Sequence, residues 1–244
     1  MPEVGAKPAF AYKPLYMQVK ESLIGYLVDG TWQPGQLIPS EIELARQTGV
    51  SQGTVRKALD AMTAEHLLVR HQGRGTYVAV PEESQILFRY YRLRPDHGEH
   101  GFPNSKVLRR EQKPATEHEQ KALHLADNGE VFRISRSRLI DGVPLIAEAI
   151  SLPSARFDGF NDLSEIPNNV YQLYSERWGI TVGRAAEKLK AVAASAAEAQ
   201  LLGCAEGSPL LEIARIAYDL EDKPVELRIS HCLTDRIHYQ IDLK

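Results

Sequence analysis

Residues 50–62, VSQGTVRKALDAM, constrain the fold more than any other stretch of the chain, because they join an apolar helix face to a polar helix start. The apolar positions are spaced i, i+3, i+4 and i+7, which predicts one buried stripe on an α-helix. They are Val55, Ala58, Leu59 and Met62. Ser51 is suited to cap this helix, so its exposed first turn contains Gln52, Gly53 and Thr54, with Arg56 and Lys57 directly behind. This helix end is a candidate surface for a partner outside the protein.

Two further helices are predicted just before this one. Apolar residues at every fourth position predict a helix over residues 14–29. Ser40 stands three residues before Glu43 and forms a capping box, which opens a second short helix that Gly49 ends. Because the third helix follows after only three or four residues, the pair is predicted to be a helix-turn-helix.

Residues 67–80, LLVRHQGRGTYVAV, contain two β-prone segments around Gly73-Arg74-Gly75. This pattern predicts a hairpin with glycines where a positive φ is needed. A helix-turn-helix followed by a hairpin is typical of a winged helix, whose third helix enters a major groove while the hairpin tip reaches phosphates or the minor groove. Taken singly, each feature also fits a helical domain with a solvated face and a structural hairpin.

The totals neither demand nor exclude a nucleic acid partner. The 244-residue chain is longer than one typical domain and has a net charge of −3, and residues 1–80 carry eight Lys or Arg against seven Asp or Glu. Binding to DNA would therefore depend on local arrangement. No run of eighteen apolar residues and no signal-peptide core is found, which predicts a cytoplasmic protein with no membrane association. Cys204 and Cys232 lack metal-binding spacing and are predicted to be packing residues.

Three motifs in this region resemble the GntR family of bacterial transcription regulators in order and spacing. They are PSEIELA at 39–45, VSQGTVRKAL at 50–59 and GRGTYV at 73–78. The resemblance implies that residues 12–80 are a winged helix-turn-helix domain that binds double-stranded DNA. Because one such helix covers few base pairs, a homodimer on a palindromic operator is expected. The candidate DNA-binding residues are Ser40, Glu41, Ser51, Gln52, Gly53, Thr54, Arg56, Lys57, Gly73, Arg74 and Gly75.

Two positions depart from the family pattern. The residue after Glu41 is often arginine in the family, and the residue after Ser51 is usually an arginine that reads guanine. Here they are Ile42 and Gln52. Since glutamine can pair with adenine N6 and N7, whereas arginine favours guanine O6 and N7, the usual half-site is not expected at that base. The resemblance assigns base-edge or phosphate contact to Thr54 and phosphate contact to Arg56.

From residue 81 onward the chain changes character. Residues 81–85 are a predicted polar linker, and residues 86–244 are predicted to be a second domain of the α+β class. Strands are predicted at 86–93, 131–140, 144–152, 210–219 and 224–231, with turns at Asp141-Gly142 and 221–223. Helices are predicted at 114–126 and at 168–178, the second opened by Asn168. In the alanine-rich residues 184–203 propensity favours a helix throughout, and a strand up to about Ala193 is the alternative.

Strand alternation places several charges on apolar faces of this second domain. If Phe132 and Ile134 face the core, every second residue after them also faces inward, and the same rule applies to two later strands. The inward set is Arg136, Arg138, Glu148, Glu226 and Arg228. Buried charge is costly unless paired, so these groups either neutralise one another or line a pocket for an anionic ligand. A register shifted by one residue would instead place them all in solvent.

Four stretches of the second domain resemble UTRA, a ligand-binding domain found behind GntR-type winged helices in the HutC group. They are KVL at 106–108, RSRLIDGVPLIAE at 136–148, LLEIAR at 210–215 and KPVELR at 223–228. The resemblance implies a chorismate lyase-like fold with an antiparallel sheet, and an effector such as a sugar phosphate or a carboxylate. Arg136 and Arg138 would hold its anionic group, and Glu148 and Glu226 would accept hydrogen bonds from it. Further candidates are Ser105, Arg228 and Arg215, of which Arg215 could equally be structural.

Other interpretations fit less well. The segment 96–100, DHGEH, lacks a further ligand set with helical spacing, so no metal is expected, and no cofactor is implied. The segment 88–94, FRYYRLR, is typical of a strand that is half core and half surface. An enzyme of chorismate lyase-like fold is the alternative function, but no motif pairs a nucleophile with a base, and fold analogy is weak evidence about chemistry. The expected function is a ligand-responsive transcription regulator, most simply a repressor.

Overall fold

A computed structural model of the chain describes residues 13–80, 90–97 and 103–242. The chain divides into two compact units, Met1–Ala79 and Val80–Lys244, and each is described by itself. The predicted linker at 81–85 and the first half of the predicted strand at 86–93 lie outside the described residues, and in the described half only Leu93 lies in a strand. In the ranges described, no helix is long and apolar enough to cross a membrane.

The first unit is a winged helix-turn-helix, as predicted. Its elements are α1 Leu15–Val28, α2 Glu41–Thr48, α3 Gln52–Ala64 and the antiparallel strands β1 Leu68–His71 and β2 Gly75–Val78. The Ser40 and Glu43 capping box opens α2, Gly49 ends it with φ 68°, and Ser51 caps α3. The buried stripe of α3 packs with side chains of the other helices, and its members are Val55, Ala58, Leu59 and Met62.

The turn between β1 and β2 depends on two glycines. Gly73 has φ 71°, which few other residues adopt without strain. Gly75 has φ 109°, and a Cβ atom at this position would lie 2.7 Å from Leu37 Cδ1. Leu37 also forms a β-bridge with Tyr77, so the hairpin lies against the segment before α2. The hairpin therefore requires glycine at both positions.

The second unit is built on a six-stranded antiparallel sheet of order β4-β5-β6-β9-β8-β7. Its strands are β4 Asn104–Pro114, β5 Glu130–Ile140, β6 Val143–Pro153, β7 Val182–Ala193, β8 Pro209–Asp219 and β9 Pro224–Cys232. A second small sheet pairs β3 Leu93–Pro95 with β10 Ile237–Tyr239. The helices are α4 Glu117–Leu123, α5 Val170–Trp178 and α6 Ala196–Leu202. The α+β class and the antiparallel sheet are confirmed.

The two faces of the large sheet pack against different helices. Even-numbered residues of β5 and β6, such as Phe132 and Ile150, form a core with Tyr171 and Tyr174 of α5. On the opposite face, Val131 packs with residues of α4. Because side chains alternate along a strand, the charges that share a face with Phe132 lie on the α5 side of the sheet.

The alanine-rich stretch forms the strand β7 up to Ala193 and only then the helix α6, so the predicted alternative is confirmed, and the propensity for one continuous helix is overridden by pairing with β8. Two other details of the second unit differ from prediction. The cap of α5 is Asn169 and not Asn168, because the Asn169 side chain accepts the hydrogen bond from the Gln172 backbone. Strand β4 was not predicted, since its residues are mostly polar and it lies at an edge of the sheet.

A buried carboxylate fastens α4 to the sheet. Glu119 is 6% exposed, and it accepts hydrogen bonds from Arg133 at 2.8 Å and from Ser151 at 2.7 Å. Burial opposes ionisation, but the bonds from Arg133, Ser151 and Thr116 lower the pKa of Glu119 to about 2. This carboxylate therefore stabilises the fold above its ordinary pKa of 4.5 and loses that effect as the pH falls towards 2.

We expect Glu119→Ala to lower the free energy of unfolding by about 3–5 kcal/mol at pH 7, because it leaves Arg133 partly buried without its partner. Urea unfolding followed by circular dichroism measures the change. Glu117→Ala, an exposed carboxylate in the same helical turn, is the control and should have little effect. Equal stabilities of the two variants would contradict the assigned role of Glu119.

Candidate functional sites

The first candidate site is the amino-terminal turn of α3. Gln52, Gly53, Arg56 and Lys57 are exposed there, as the sequence pattern predicts. Thr54 is half-buried, and its backbone N–H donates to Ser51 Oγ at 3.2 Å. The turn therefore presents exposed polar side chains at a helix amino terminus, an arrangement suited to phosphates and base edges.

Glu41 at the start of α2 gathers three side chains around its carboxylate. Its Oε2 accepts from Gln52 Nε2 at 3.3 Å and from Arg56 Nε at 2.9 Å. Its Oε1 accepts from Arg70 Nη2 at 3.3 Å, and Arg70 also pairs with Asp60 at 2.8 Å. The Arg56 hydrogen bond lowers the pKa of Glu41 below its usual value. Arg70 was not among the sequence candidates, because nothing local links this residue of β1 to α2.

The other candidates of the first unit lie on its surface. Arg74 at the hairpin tip is exposed, and its backbone carbonyl accepts a hydrogen bond from the Tyr77 hydroxyl at 3.3 Å. The ammonium of Lys57 lies 4.4 Å from the centre of the Tyr16 ring. Ile42, which stands where the family often has arginine, is 68% exposed.

The second candidate site is a cluster of buried charges on the α5 face of the sheet. Six side chains are at most 9% exposed: Arg136, Arg138, Glu148, Arg215, Glu226 and Arg228. The interpretation that turns these charges inward is confirmed, and the one that places them in solvent is wrong. The groups neutralise one another in part, and four of them also line a cavity, while binding of an anionic ligand there stays a prediction.

Glu148 is the centre of this cluster. It pairs with Arg136 Nε, with Arg228 Nη1 at 3.5 Å and, more distantly, with Arg138 Nη1 at 3.9 Å, and Ser230 Oγ donates to it at 3.2 Å. Burial alone would raise the pKa of Glu148, but the guanidinium groups outweigh burial and hold it well below the ordinary value. Burial, and then the nearby charge of Arg136, lower the pKa of Arg138 below its ordinary value.

Glu226 lies behind this centre with both oxygens occupied. Arg228 donates to them through Nε and Nη2, each at 2.8 Å, and the hydroxyls of Tyr171 and Tyr174 donate at 3.2 and 2.7 Å. Glu148 and Glu226 are absent from the residues that line the cavity. Their expected role as direct acceptors for an effector stays a prediction, and their contacts instead orient the arginines.

The cavity has a volume of about 20 Å³, which is room for one or two water molecules. Its lining residues are Tyr90, Tyr91, Arg136, Arg138, Asn168, Asn169, Val170, Tyr171, Arg215 and Arg228. Within the described residues, Arg136 Nη2 and Asn168 Oδ1 are buried and have no hydrogen-bond partner. A free guanidinium donor beside the amino-terminal end of α5 is an arrangement that favours an anion.

Arg215 lies at one edge of this cluster, and the last effector candidate, Ser105, lies beside the cluster on β4. Arg215 donates to Glu187 Oε1 at 2.7 Å and to the carbonyl of Tyr90. Ser105 is paired in register with Arg138, and among the described residues its buried hydroxyl has no partner. Arg215 thus both lines the cavity and fixes the backbone of Tyr90, which agrees with either a binding or a structural role.

The cluster carries more positive than negative charge, which favours binding of an anion. Among the residues that the structure describes, four arginines, at 136, 138, 215 and 228, face three carboxylates, Glu148, Glu187 and Glu226, which leaves one excess positive charge. An unbalanced buried cation is costly, and an anion in the cavity would offset that cost.

Six lining residues were not predicted, because their signals are not local. Tyr90 and Tyr91 belong to the segment FRYYRLR, whose pattern is equally typical of an ordinary strand. Asn168 was predicted only as a helix cap, and Asn169, Val170 and Tyr171 only as residues of the helix that it opens. Of the DHGEH segment, residues 98–100 lie outside the described residues, and the described part of the chain contains no group of three His, Cys, Asp or Glu placed to hold a metal.

Comparison with known proteins identifies the family of each unit. The model of bacterial regulatory proteins, gntR family, matches residues 15–78, and the UTRA domain matches residues 99–238. The chain is 31% identical to the probable fructoselysine utilization operon transcriptional repressor of Escherichia coli K12, over 99% of both chains. It is 29% identical to the histidine utilization repressor of Pseudomonas putida, over 94% of this chain and 90% of the relative. PhnF from Mycobacterium smegmatis has the same fold, with a TM-score of 0.56, 24% identity, and coverage of 92% of this chain and 98% of that one.

Proposed function

Because the chain belongs to the GntR family of bacterial regulatory proteins and carries a UTRA domain, we propose that it is a cytoplasmic repressor of a utilization operon that responds to a small anionic effector. Family membership makes it a transcription regulator and not an enzyme, as expected. Repressors of utilization operons are found among its relatives, including a histidine utilization repressor of the expected HutC type.

The two family matches support a separate role for each part of the chain. Residues 12–80 bind DNA, residues 81–85 connect, and residues 86–244 bind the effector. Two copies are proposed to bind a palindromic operator, since two half-sites supply the specificity that one α3 helix cannot.

The observation that carries the effector proposal is the unpaired Nη2 of Arg136, which is 1% exposed and lines a cavity rich in arginine. Burying a guanidinium donor without a partner costs free energy, so a ligand that accepts its hydrogen bond removes this cost and binds more tightly. Because the cavity holds only one or two waters, effector binding is expected to open it, with movement of the side chains at its rim.

A thermal-shift screen tests this proposal. The relatives' names point to fructoselysine and histidine, which both carry a carboxylate, and glucose 6-phosphate and inorganic phosphate extend the set of anions. A ligand at one hundred times its dissociation constant adds about 2.7 kcal/mol to stability. Stabilisation by an anion, and none by uncharged fructose, supports the proposal. Stabilisation by neutral compounds alone would contradict an anion site.

On the DNA side, Arg56→Ala is expected to weaken binding to operator and random DNA alike. Losing one phosphate contact should flatten the slope of log affinity against log salt by about one unit. Fluorescence anisotropy at several salt concentrations measures this slope. Arg46→Ala, an exposed arginine in the last turn of α2, is the control. A wild-type slope in the Arg56 variant would remove Arg56 from the interface.

Gln52→Arg is expected to shift the preferred base from adenine to guanine at one position of each half-site. The reason is that arginine presents two donors to guanine O6 and N7, whereas glutamine matches adenine. Selection from a randomised DNA library measures the preference of wild type and variant. An unchanged preference would remove Gln52 from base recognition.

A further inference from the structure

The contacts of Glu41 point to a role that differs from touching DNA. We propose that Glu41 is a positioning residue, which fixes the side-chain amide of Gln52 so that it pairs with adenine and rejects guanine. The inference rests on the proposed reading of a base by Gln52 and adds what sets the choice between the two purines.

The carboxylate of Glu41 is held in place from three sides. Its side chain is 23% exposed, and its oxygens accept from Gln52 at 3.3 Å, from Arg56 at 2.9 Å and from Arg70 at 3.3 Å. Arg70 is in turn held by Asp60 at 2.8 Å, so two elements, α3 and β1, fix the carboxylate. An ionised carboxylate is only an acceptor, so it can face only the N–H groups of Gln52.

The contact with Glu41 uses one hydrogen-bonding group of the Gln52 amide and leaves the others for a base. A glutamine amide has two N–H donors and one carbonyl, and one N–H of Gln52 points to Glu41. One N–H and the carbonyl remain, and they match the acceptor N7 and the donor N6 of adenine. Guanine presents two acceptors, O6 and N7, so the carbonyl of Gln52 would face O6 without a hydrogen bond.

Rotating the Gln52 amide by half a turn would exchange the positions of its carbonyl and its NH2 group. The NH2 group would then face O6 of guanine, an acceptor, which favours guanine. In that orientation the carbonyl oxygen of Gln52 would lie against the Glu41 carboxylate, where two acceptors repel each other. Glu41 thus disfavours the orientation that suits guanine. A free glutamine would lack this constraint and would discriminate less between the two bases.

Glu41 can be replaced without removing the start of α2. The capping box of this helix is formed by Ser40 and Glu43, and Glu43 Oε2 accepts from the Ser40 backbone at 2.8 Å. A change at Glu41 therefore affects mainly the side chains of Gln52, Arg56 and Arg70, and the unit is expected to fold.

The test measures base preference and total affinity separately in the full-length protein. DNA selected from a randomised library supplies the wild-type site, and duplexes with adenine or guanine at the position sensitive to Gln52→Arg are compared in competition. We expect Glu41→Ala to reduce the adenine-to-guanine affinity ratio by about tenfold, the lower part of the range for one bidentate base contact. Binding to random DNA should become tighter, since a negative charge near the phosphates is lost.

Glu65→Gln is the matched control, because this substitution removes one negative charge from the same unit, and Glu65 pairs with Lys20 and contacts neither Glu41 nor Gln52. It should leave the ratio unchanged. Glu41→Gln keeps the size of the side chain and should lower the ratio less than alanine does. A wild-type ratio in Glu41→Ala, with Gln52→Arg still changing the preferred base, would overturn the positioning role alone. If Gln52→Arg changes nothing, base reading by Gln52 fails and the role of Glu41 fails with it.

Discussion

Arg138→Ala is expected to abolish the response to effector while operator affinity without effector stays near that of wild type. Arg138 lines the cavity and lies 3.9 Å from Glu148, so its loss removes one of the groups that attract an anion. The fold should tolerate the change, because burial and the adjacent Arg136 already disfavour the charge of Arg138. Titration calorimetry with the anion found by thermal shift measures effector binding, and anisotropy measures operator affinity.

Two further variants sharpen this prediction. Arg138→Lys should also fail, since a lysine cannot present the planar pair of donors that holds a carboxylate or phosphate. Arg109→Ala, an exposed arginine of the neighbouring strand β4 whose side chain is 66% exposed, should respond like wild type. An Arg138→Ala variant with an unchanged effector midpoint would place the effector elsewhere in the protein.

Glu148→Ala is expected to be among the most destabilising changes in the second unit. The substitution leaves Arg136, Arg138 and Arg228 buried together without the carboxylate they share. Removing one partner of a buried ion pair costs about 3–5 kcal/mol, and each kcal/mol lowers the melting temperature by about 2–4 °C in a domain of this size. Differential scanning calorimetry on the full chain measures the shift.

The matched control is Glu130→Ala, which removes an exposed carboxylate at the start of β5. It should change the melting temperature by little. If Glu148→Ala has the same melting temperature as Glu130→Ala, the three arginines do not depend on Glu148, and its assignment as their shared partner is wrong.

The first unit could be predicted almost completely from the sequence, because its signals are local. The Ser40 capping box, the cap at Ser51 and the glycines of the hairpin each act over a few residues, and the structure has all of them. The contacts of Glu41 could not be predicted in this way. They join residues 11, 15 and 29 positions apart, and only the packed helices and strand bring these residues together.

The second unit contains elements that local sequence patterns do not predict. The hairpin of β5 and β6 was predicted because its turn pattern, Asp141-Gly142, is local. In the structure both residues have the positive φ that this turn requires. Strand β7 reads as a helix by propensity, since the pairing with β8 that makes it a strand is not visible in its own residues. The strand order of the sheet likewise depends on contacts between distant segments.

Alternation predicted which charges turn inward but not what they contact. Period two suffices to place Arg136 and Arg138 beside Phe132 on one face. That Glu226 is saturated by Tyr171, Tyr174 and Arg228, and therefore lies behind the cavity, follows only from the packing of α5 on the sheet. Sequence reasoning thus identified the buried charges, but not which of them line the cavity and which hold the others in place.

The central claim is that one small anion, bound in the arginine-lined cavity, changes the affinity of the protein for its operator. The most direct test is operator binding of the wild-type protein, on a site selected from randomised DNA, with and without the anion that stabilises it in the thermal-shift screen. We predict that saturating anion shifts the operator dissociation constant by about 5–150-fold, and that operator shifts the anion's dissociation constant by the same factor. Identical operator affinities with and without the bound anion would contradict the claim.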